Sequence, residues 1–119
     1  MQPGGGIPSI SPRDAAAATG PAASGDAATR PLIVDVREPN EFEIVSIPGA
    51  TLIPKDRVLS GEALSSLPQD TPVVLYCKTG SRSAEALAVL KGAGFADAVH
   101  VGGGVSAWVN QIDPSLPAY

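Results

Sequence analysis

The sequence predicts an α/β domain with a central parallel sheet and helices on both of its faces. Three observations lead there. Short apolar strand signals alternate with helix signals along the chain. The segment Pro72-Val73-Val74-Leu75-Tyr76 carries no charge, as a strand buried on both faces requires. A Gly102-Gly103-Gly104 turn then separates the last strand signal from the last helix signal. At 119 residues the chain has room for one such domain and one core.

The elements follow in order. Residues 1–30 differ from the rest, since Ala, Gly and Pro fill 17 of these 30 positions, and residues 1–6 read as a flexible tail or linker remnant. Ile7-Pro8-Ser9-Ile10 reads as a short edge strand. Ser11 as N-cap, Pro12 at the first helical position and Asp14 in the first turn open a brief alanine helix reaching about Thr19. Gly20 to Thr29 reads as a loop. Leu32 to Val36 is a strongly apolar strand, Pro39 to Ile44 a helix opened by proline, and Thr51 to Ile53 a further strand. The Lys55-Asp56-Arg57 stretch reads as a loop, with Arg57 an exposed charge, and Gly61 to Leu67 as a short helix stopped by Pro68. After the strand at 72–76 a helix runs to about Lys91, with Ser81 or Ser83 as its cap. A strand at Ala98 to Val101 and a helix from Val105 to Gln111 complete the chain.

Composition narrows the function. The net charge of −4 argues against a nucleic-acid partner. No apolar run approaches the roughly 20 residues that a membrane span needs, and no secretory signal pattern opens the chain. One cysteine forbids an internal disulfide and fits a reducing cytoplasm. One cysteine with one histidine cannot build the usual Cys/His zinc site. Neither a metal nor another cofactor is expected.

The chemistry concentrates at Cys77. It ends the apolar strand and opens the loop Cys77-Lys78-Thr79-Gly80-Ser81-Arg82, directly before a helix. Ligands of parallel sheets bind beyond the carboxyl ends of the strands. There a thiol faces unpaired N–H groups and the positive end of a helix dipole, and both favour the thiolate. A buried cysteine serving only as a small hydrophobe needs none of the surrounding features. Lys78 and Arg82 bracket the thiol with positive charge, Gly80 permits a tight turn, and Thr79 and Ser81 offer hydroxyls. The loop is suited to holding an anion against sulfur. Asp35 and Arg37, in or beside a buried strand, read as a structural pair. His100 reads as a satisfied or surface histidine, and Trp108 as a cap on the core.

These residues resemble a known family. Val34-Asp35-Val36-Arg37-Glu38 followed by Ile47-Pro48-Gly49-Ala50 resembles the opening signature of rhodanese-like domains. Cys77-Lys78-Thr79-Gly80-Ser81-Arg82-Ser83-Ala84 resembles their active-site loop, and Gly102-Gly103-Gly104 with Trp108 their closing element. The likeness covers 7–119 and departs at Ser46, where the family often has histidine. The nearest likeness is to the C-terminal rhodanese domain of bacterial adenylyltransferase/sulfurtransferase proteins. It rests on Leu75 to Gly80, Ser83 to Leu87 and Ile112 to Pro117.

The resemblance implies a three-layer rhodanese-like fold and a sulfurtransferase that carries sulfane sulfur as a Cys77 persulfide. Lys78, Thr79, Gly80, Ser81 and Arg82 would bind the donor. It implies thiosulfate or a cysteine desulfurase persulfide as donor. The implied acceptor is a ubiquitin-like sulfur-carrier protein, activated by an adenylating domain, in molybdopterin (molybdenum cofactor) or thiamine-type biosynthesis. On this likeness the chain is either such a domain separated from its adenylating partner or a protein standing alone. Two other readings compete: a non-catalytic rhodanese module for protein interaction, and a phosphatase or arsenate reductase. The intact Cys77 and Arg82 speak against the first. Against the second, related phosphatases place five residues between cysteine and arginine, and this loop has four.

Overall fold

The computed structural model describes residues 8–19, 31–69 and 71–117. The expected tail at 1–6 and the expected loop at Gly20 to Thr29 lie outside the described residues. Among the described residues five strands form one sheet: β1 (Ser9–Ile10), β2 (Leu32–Asp35), β3 (Thr51–Leu52), β4 (Val73–Tyr76) and β5 (Val99–Val101), in the spatial order β1-β5-β4-β2-β3, all pairs parallel. From β2 the chain moves outward to β3, then crosses to β4 and continues the other way to β5. The reversal lies between β2 and β4, and such a switch point leaves a crevice at the carboxyl ends of the two strands.

Helices cover both faces. Val58 of α3 (Lys55–Leu59) and Ala86, Leu87 and Leu90 of α4 (Ser81–Gly92) pack with Val34, Val73, Leu75 and Cys77. On the opposite face Ala15 of α1 (Pro12–Thr19) and Val105, Trp108 and Val109 of α5 (Gly104–Gln111) pack with Ile33, Val74, Tyr76 and Val101. The alternation along β4 therefore assigns Leu75 and Cys77 to the α4 face and Tyr76 to the α5 face. Apolar burial on both faces is the dominant stabilising term in such a domain.

The ends of the helices follow local chemistry. Ser11 caps α1, accepting the Asp14 N–H at 3.1 Å. At α2 (Pro39–Ile44) Glu38 and Glu41 form a reciprocal capping box, with the Glu38 N–H donating to Glu41 Oε1 at 3.0 Å. Two expectations need correction. The Lys55-Asp56-Arg57 stretch is the start of α3, opened by Pro54. The helix expected over 61–67 contracts to a single 3₁₀ turn at Leu64–Ser66, because Gly61 has φ +85°, outside the right-handed helical region.

Asp35, the last residue of β2, and Arg37, just beyond it, form the expected structural pair and are fully buried. The Arg37 guanidinium donates to both Asp35 oxygens, 2.6 Å at the shortest, and to the Val45 carbonyl. It also lies over the Tyr76 ring, 5.5 Å from the centroid. The Tyr76 hydroxyl accepts the Ile47 N–H at 3.0 Å. This polar knot fixes the end of β4 at the residue before Cys77.

Candidate functional site

Cys77 leaves β4 on the α4 face and is 1% exposed. The loop turns back over it: the Gly80 N–H donates to Sγ at 3.1 Å, and Sγ lies 3.5 Å from the Ser83 hydroxyl. Burial pushes the thiol up. Hydrogen bonds from the Ser83 hydroxyl and from the N–H groups of Ser83, Gly80 and Thr79 more than offset that, and Cys77 sits below the ordinary thiol range. Each of those donors favours the anion, so the loop is built for thiolate or another sulfur anion.

The cap of α4 is neither serine that the sequence offered. Gly80 is the N-cap, with φ +125°, a conformation open to glycine and strained for other residues. Ser83 turns inward instead, lying 3.1 Å from the Gly80 carbonyl and 2.8 Å from His100 Nδ1. The loop is braced from below by the glycine turn. The Val105 and Ser106 N–H groups donate to the carbonyls of Cys77 and Lys78 at 2.9 and 3.1 Å. A Cβ on Gly104, which has φ +62°, would come within 2.5 Å of both carbonyl oxygens. Only glycine allows this approach.

The other expected site residues occupy distinct places. Thr79 and Ser81 are exposed on the rim, and Lys78 is half-buried. Arg82, on the first turn of α4, is half-buried and its guanidinium donates to both oxygens of Glu41 on α2, at 2.6 and 3.0 Å. The planar fork that suits a carboxylate thus holds one from within the chain. Arg57 is exposed and paired with Glu62 at 2.6 Å.

Sequence reasoning missed three participants: Glu41, the inward role of Ser83, and His100. His100 is buried, opposite Leu75 in the β4–β5 register and so on the Cys77 face. Burial holds its imidazole below the usual histidine range. A sequence signal existed for it, a single polar residue within an apolar strand just before the glycine turn. Its meaning depended on β5 lying beside β4. Among the described residues no group of three His, Cys, Asp or Glu side chains comes together as a metal site, and no helix is long and apolar enough to cross a membrane.

Comparison with known proteins agrees with this geometry. Residues 19–111 match the family model of the rhodanese-like domain. A probable adenylyltransferase/sulfurtransferase, MoeZ of Mycobacterium tuberculosis, is 55% identical over 94 residues, covering 79% of this chain and 24% of that protein. The adenylyltransferase and sulfurtransferase uba4 of Ogataea parapolymorpha is 35% identical, covering 75% of this chain and 23% of its own length. The chain thus spans about a quarter of the length of these curated relatives. A rhodanese-like domain protein of Staphylococcus aureus superposes with a TM-score of 0.73 at 30% identity, over 95% of this chain and 99% of that one.

Proposed function

The chain belongs to the rhodanese-like domain family, and on that footing we propose that it is a sulfurtransferase carrying sulfane sulfur as a persulfide on Cys77. The observation that carries the reading is the sulfur itself: a solitary thiol at the carboxyl end of β4, with the Gly80 N–H donating to Sγ and the positive end of α4 beside it. A thiolate in this loop attacks the sulfane sulfur of a donor such as thiosulfate or a cysteine desulfurase persulfide. With thiosulfate, the S–S bond of the donor breaks, sulfite departs with the bonding pair, and Cys77 retains an anionic outer sulfur. The N–H groups of Thr79, Gly80 and Ser83 then stabilise that anion. Lys78, Thr79, Ser81 and Arg82 form the rim that receives the donor, and Arg82 exchanges Glu41 for an anionic one.

The names of the relatives support a finer reading, in which the acceptor is a ubiquitin-like sulfur-carrier protein of a molybdopterin or thiamine-type pathway. Its C-terminal acyl-adenylate is attacked by the persulfide, and AMP leaves. An external thiol then attacks the Cys77 sulfur of the acyl disulfide, which releases the thiocarboxylate and leaves Cys77 in a mixed disulfide that a second thiol reduces. The chain has a single cysteine, so no second thiol within it can perform that last step. A reducing cytoplasm, where a lone thiol stays free, suits this chemistry. Reconstitution tests both levels. Protein loaded with thiosulfate should gain one sulfur atom by intact mass, and Cys77→Ser should gain none and transfer none to cyanide. Loaded protein with carrier, ATP, an adenylating enzyme and a thiol should give carrier thiocarboxylate. Transfer to cyanide without thiocarboxylate would leave a general sulfurtransferase and remove the carrier; no adduct on Cys77 would remove the activity.

A further inference from the structure

We propose that His100 is a positioning residue for Cys77: through the Ser83 hydroxyl, the proton on its Nδ1 decides whether the sulfur faces a hydrogen-bond donor or an acceptor. The inference deepens the sulfurtransferase reading and rests on it for its purpose. One hydroxyl proton has three neighbours to choose among. Ser83 Oγ lies 2.8 Å from His100 Nδ1, 3.1 Å from the Gly80 carbonyl and 3.5 Å from Cys77 Sγ. With Nδ1 bare, the hydroxyl donates to it across the shortest of the three contacts, and from Ser83 Oγ the sulfur meets only lone pairs, its backbone N–H donors being unchanged. That arrangement suits a protonated thiol.

With a proton on Nδ1 the order reverses. The imidazole donates to Oγ, the hydroxyl proton must turn elsewhere, and an anionic sulfur attracts it more strongly than the neutral Gly80 carbonyl does. The Cys77 thiolate and its persulfide anion are then the favoured partners. When the proton moves internally, the S–H bond breaks, Oγ takes that proton as its own passes to Nδ1, and a thiolate and an imidazolium result with no change in net charge.

The surroundings leave this pair to control one another. β1, β4, α4 and α5 are the elements packed most closely on β5. β1 and α5 carry no ionisable side chain, and Tyr76 of β4 lies on the other face. Of the charges on α4, Arg82 is held by Glu41, Glu85 by Lys55, and Lys91 by the Ala96 carbonyl. Lys78 is half-buried in the loop, and Asp97 is exposed on the turn before β5. The depressed basicity of the buried imidazole places its titration below that of an ordinary histidine. Coupled groups must respond to each other equally, so each titration should appear in the other.

One cysteine and one histidine make both readouts unambiguous. Iodoacetamide alkylation of reduced protein against pH should show, in the wild type, a shoulder where His100 titrates. The ¹⁵N shifts of His100 should show a second inflection where Cys77 titrates. His100→Asn keeps a polar partner for Ser83 and cannot titrate. It should lose the shoulder and fall about tenfold below wild type on its acid side, the loss expected for a hydrogen bond to a charged group. Ser83→Ala should abolish the second His100 inflection, with thermal unfolding showing that each variant folds. Superimposable alkylation profiles for wild type and His100→Asn would overturn the proposal. So would an inflection that survives in Ser83→Ala. A wild-type His100 resonance that stays flat through the Cys77 titration overturns it without any variant. All readouts precede sulfur transfer, so failure of the proposed function would not disturb them.

Discussion

The Arg82 guanidinium holds the Glu41 carboxylate through two hydrogen bonds, 2.6 and 3.0 Å, and so ties α2 to the loop around Cys77. Glu41 also accepts the N–H of Glu38 in the capping box of α2. The cation most suited to an incoming anion is therefore already engaged, and an anionic donor has to compete for it.

Neutralising the competitor should sharpen the site for anions. Glu41→Gln retains a capping oxygen and removes the charge from a pair whose side chains are 29% and 15% exposed. The thiosulfate KM is expected to fall about fivefold, with a smaller change in kcat, as a charge-assisted contact worth roughly 1 kcal/mol shifts from Glu41 to the donor. Steady-state kinetics with thiosulfate and cyanide check this. An unchanged or higher KM would show that Arg82 does not meet the donor.

Gly104→Ala should damage the loop from underneath. Its Cβ would lie 2.4 Å from the Lys78 carbonyl oxygen at a φ of +62°, so both strain and overlap arise. A loss of about 3 kcal/mol is expected. Slower alkylation of Cys77 at neutral pH should accompany it as the N–H donors shift away from sulfur. Denaturant unfolding and alkylation kinetics measure the two effects separately.

Breaking the buried pair should cost more than removing it. Arg37→Leu leaves the Asp35 carboxylate uncompensated at 0% exposure, and a loss of about 3–5 kcal/mol is expected. The double variant Asp35→Val/Arg37→Leu should lose less than the sum of the two single changes. An additive double-mutant cycle would mean that the two side chains act independently.

Alkaline unfolding should report on Tyr76. Burial, with the Asp35 carboxylate nearby, raises its phenol above the ordinary value of 10.0. The folded chain thus keeps a proton that the unfolded chain releases, and stability must fall as pH rises. The contribution is complete below about pH 10 and is lost progressively above it. Tyr76→Phe should flatten this alkaline limb. At neutral pH it should cost about 2 kcal/mol, because the Ile47 N–H loses its acceptor. Unfolding free energy measured from pH 8 to 11 in both proteins decides the matter.

The fold was legible where local signals are strong. The five strands of the described residues fall where strands were expected, β2, β4 and β5 because burial on two faces leaves a plain mark in sequence, and α2 coincides with its proline-opened segment because its cap does the same. The stretch at 55–67 was misread. α3 has five residues and one buried side chain, Val58, too few to display a helical period. The loop from Cys77 to Arg82 was legible for the same reason as the strands: its parts are contiguous. Glu41 and His100 were not, since each reaches the loop through the order of the sheet. Nothing in the residues near position 100 says that β5 will lie beside β4 rather than beside β3.

Planarity of the peptide bond gives the glycine turn a second consequence. A carbonyl and the N–H that follows it share one rigid plane and point in opposite directions. When Ser106 fastens the Lys78 oxygen at 3.1 Å, it also aims the Thr79 N–H away from α5 and toward the sulfur. The last helix thus acts as a lever on the amide that faces the sulfur. The orientation is set before any donor arrives, so capture of sulfur requires no rotation of that amide.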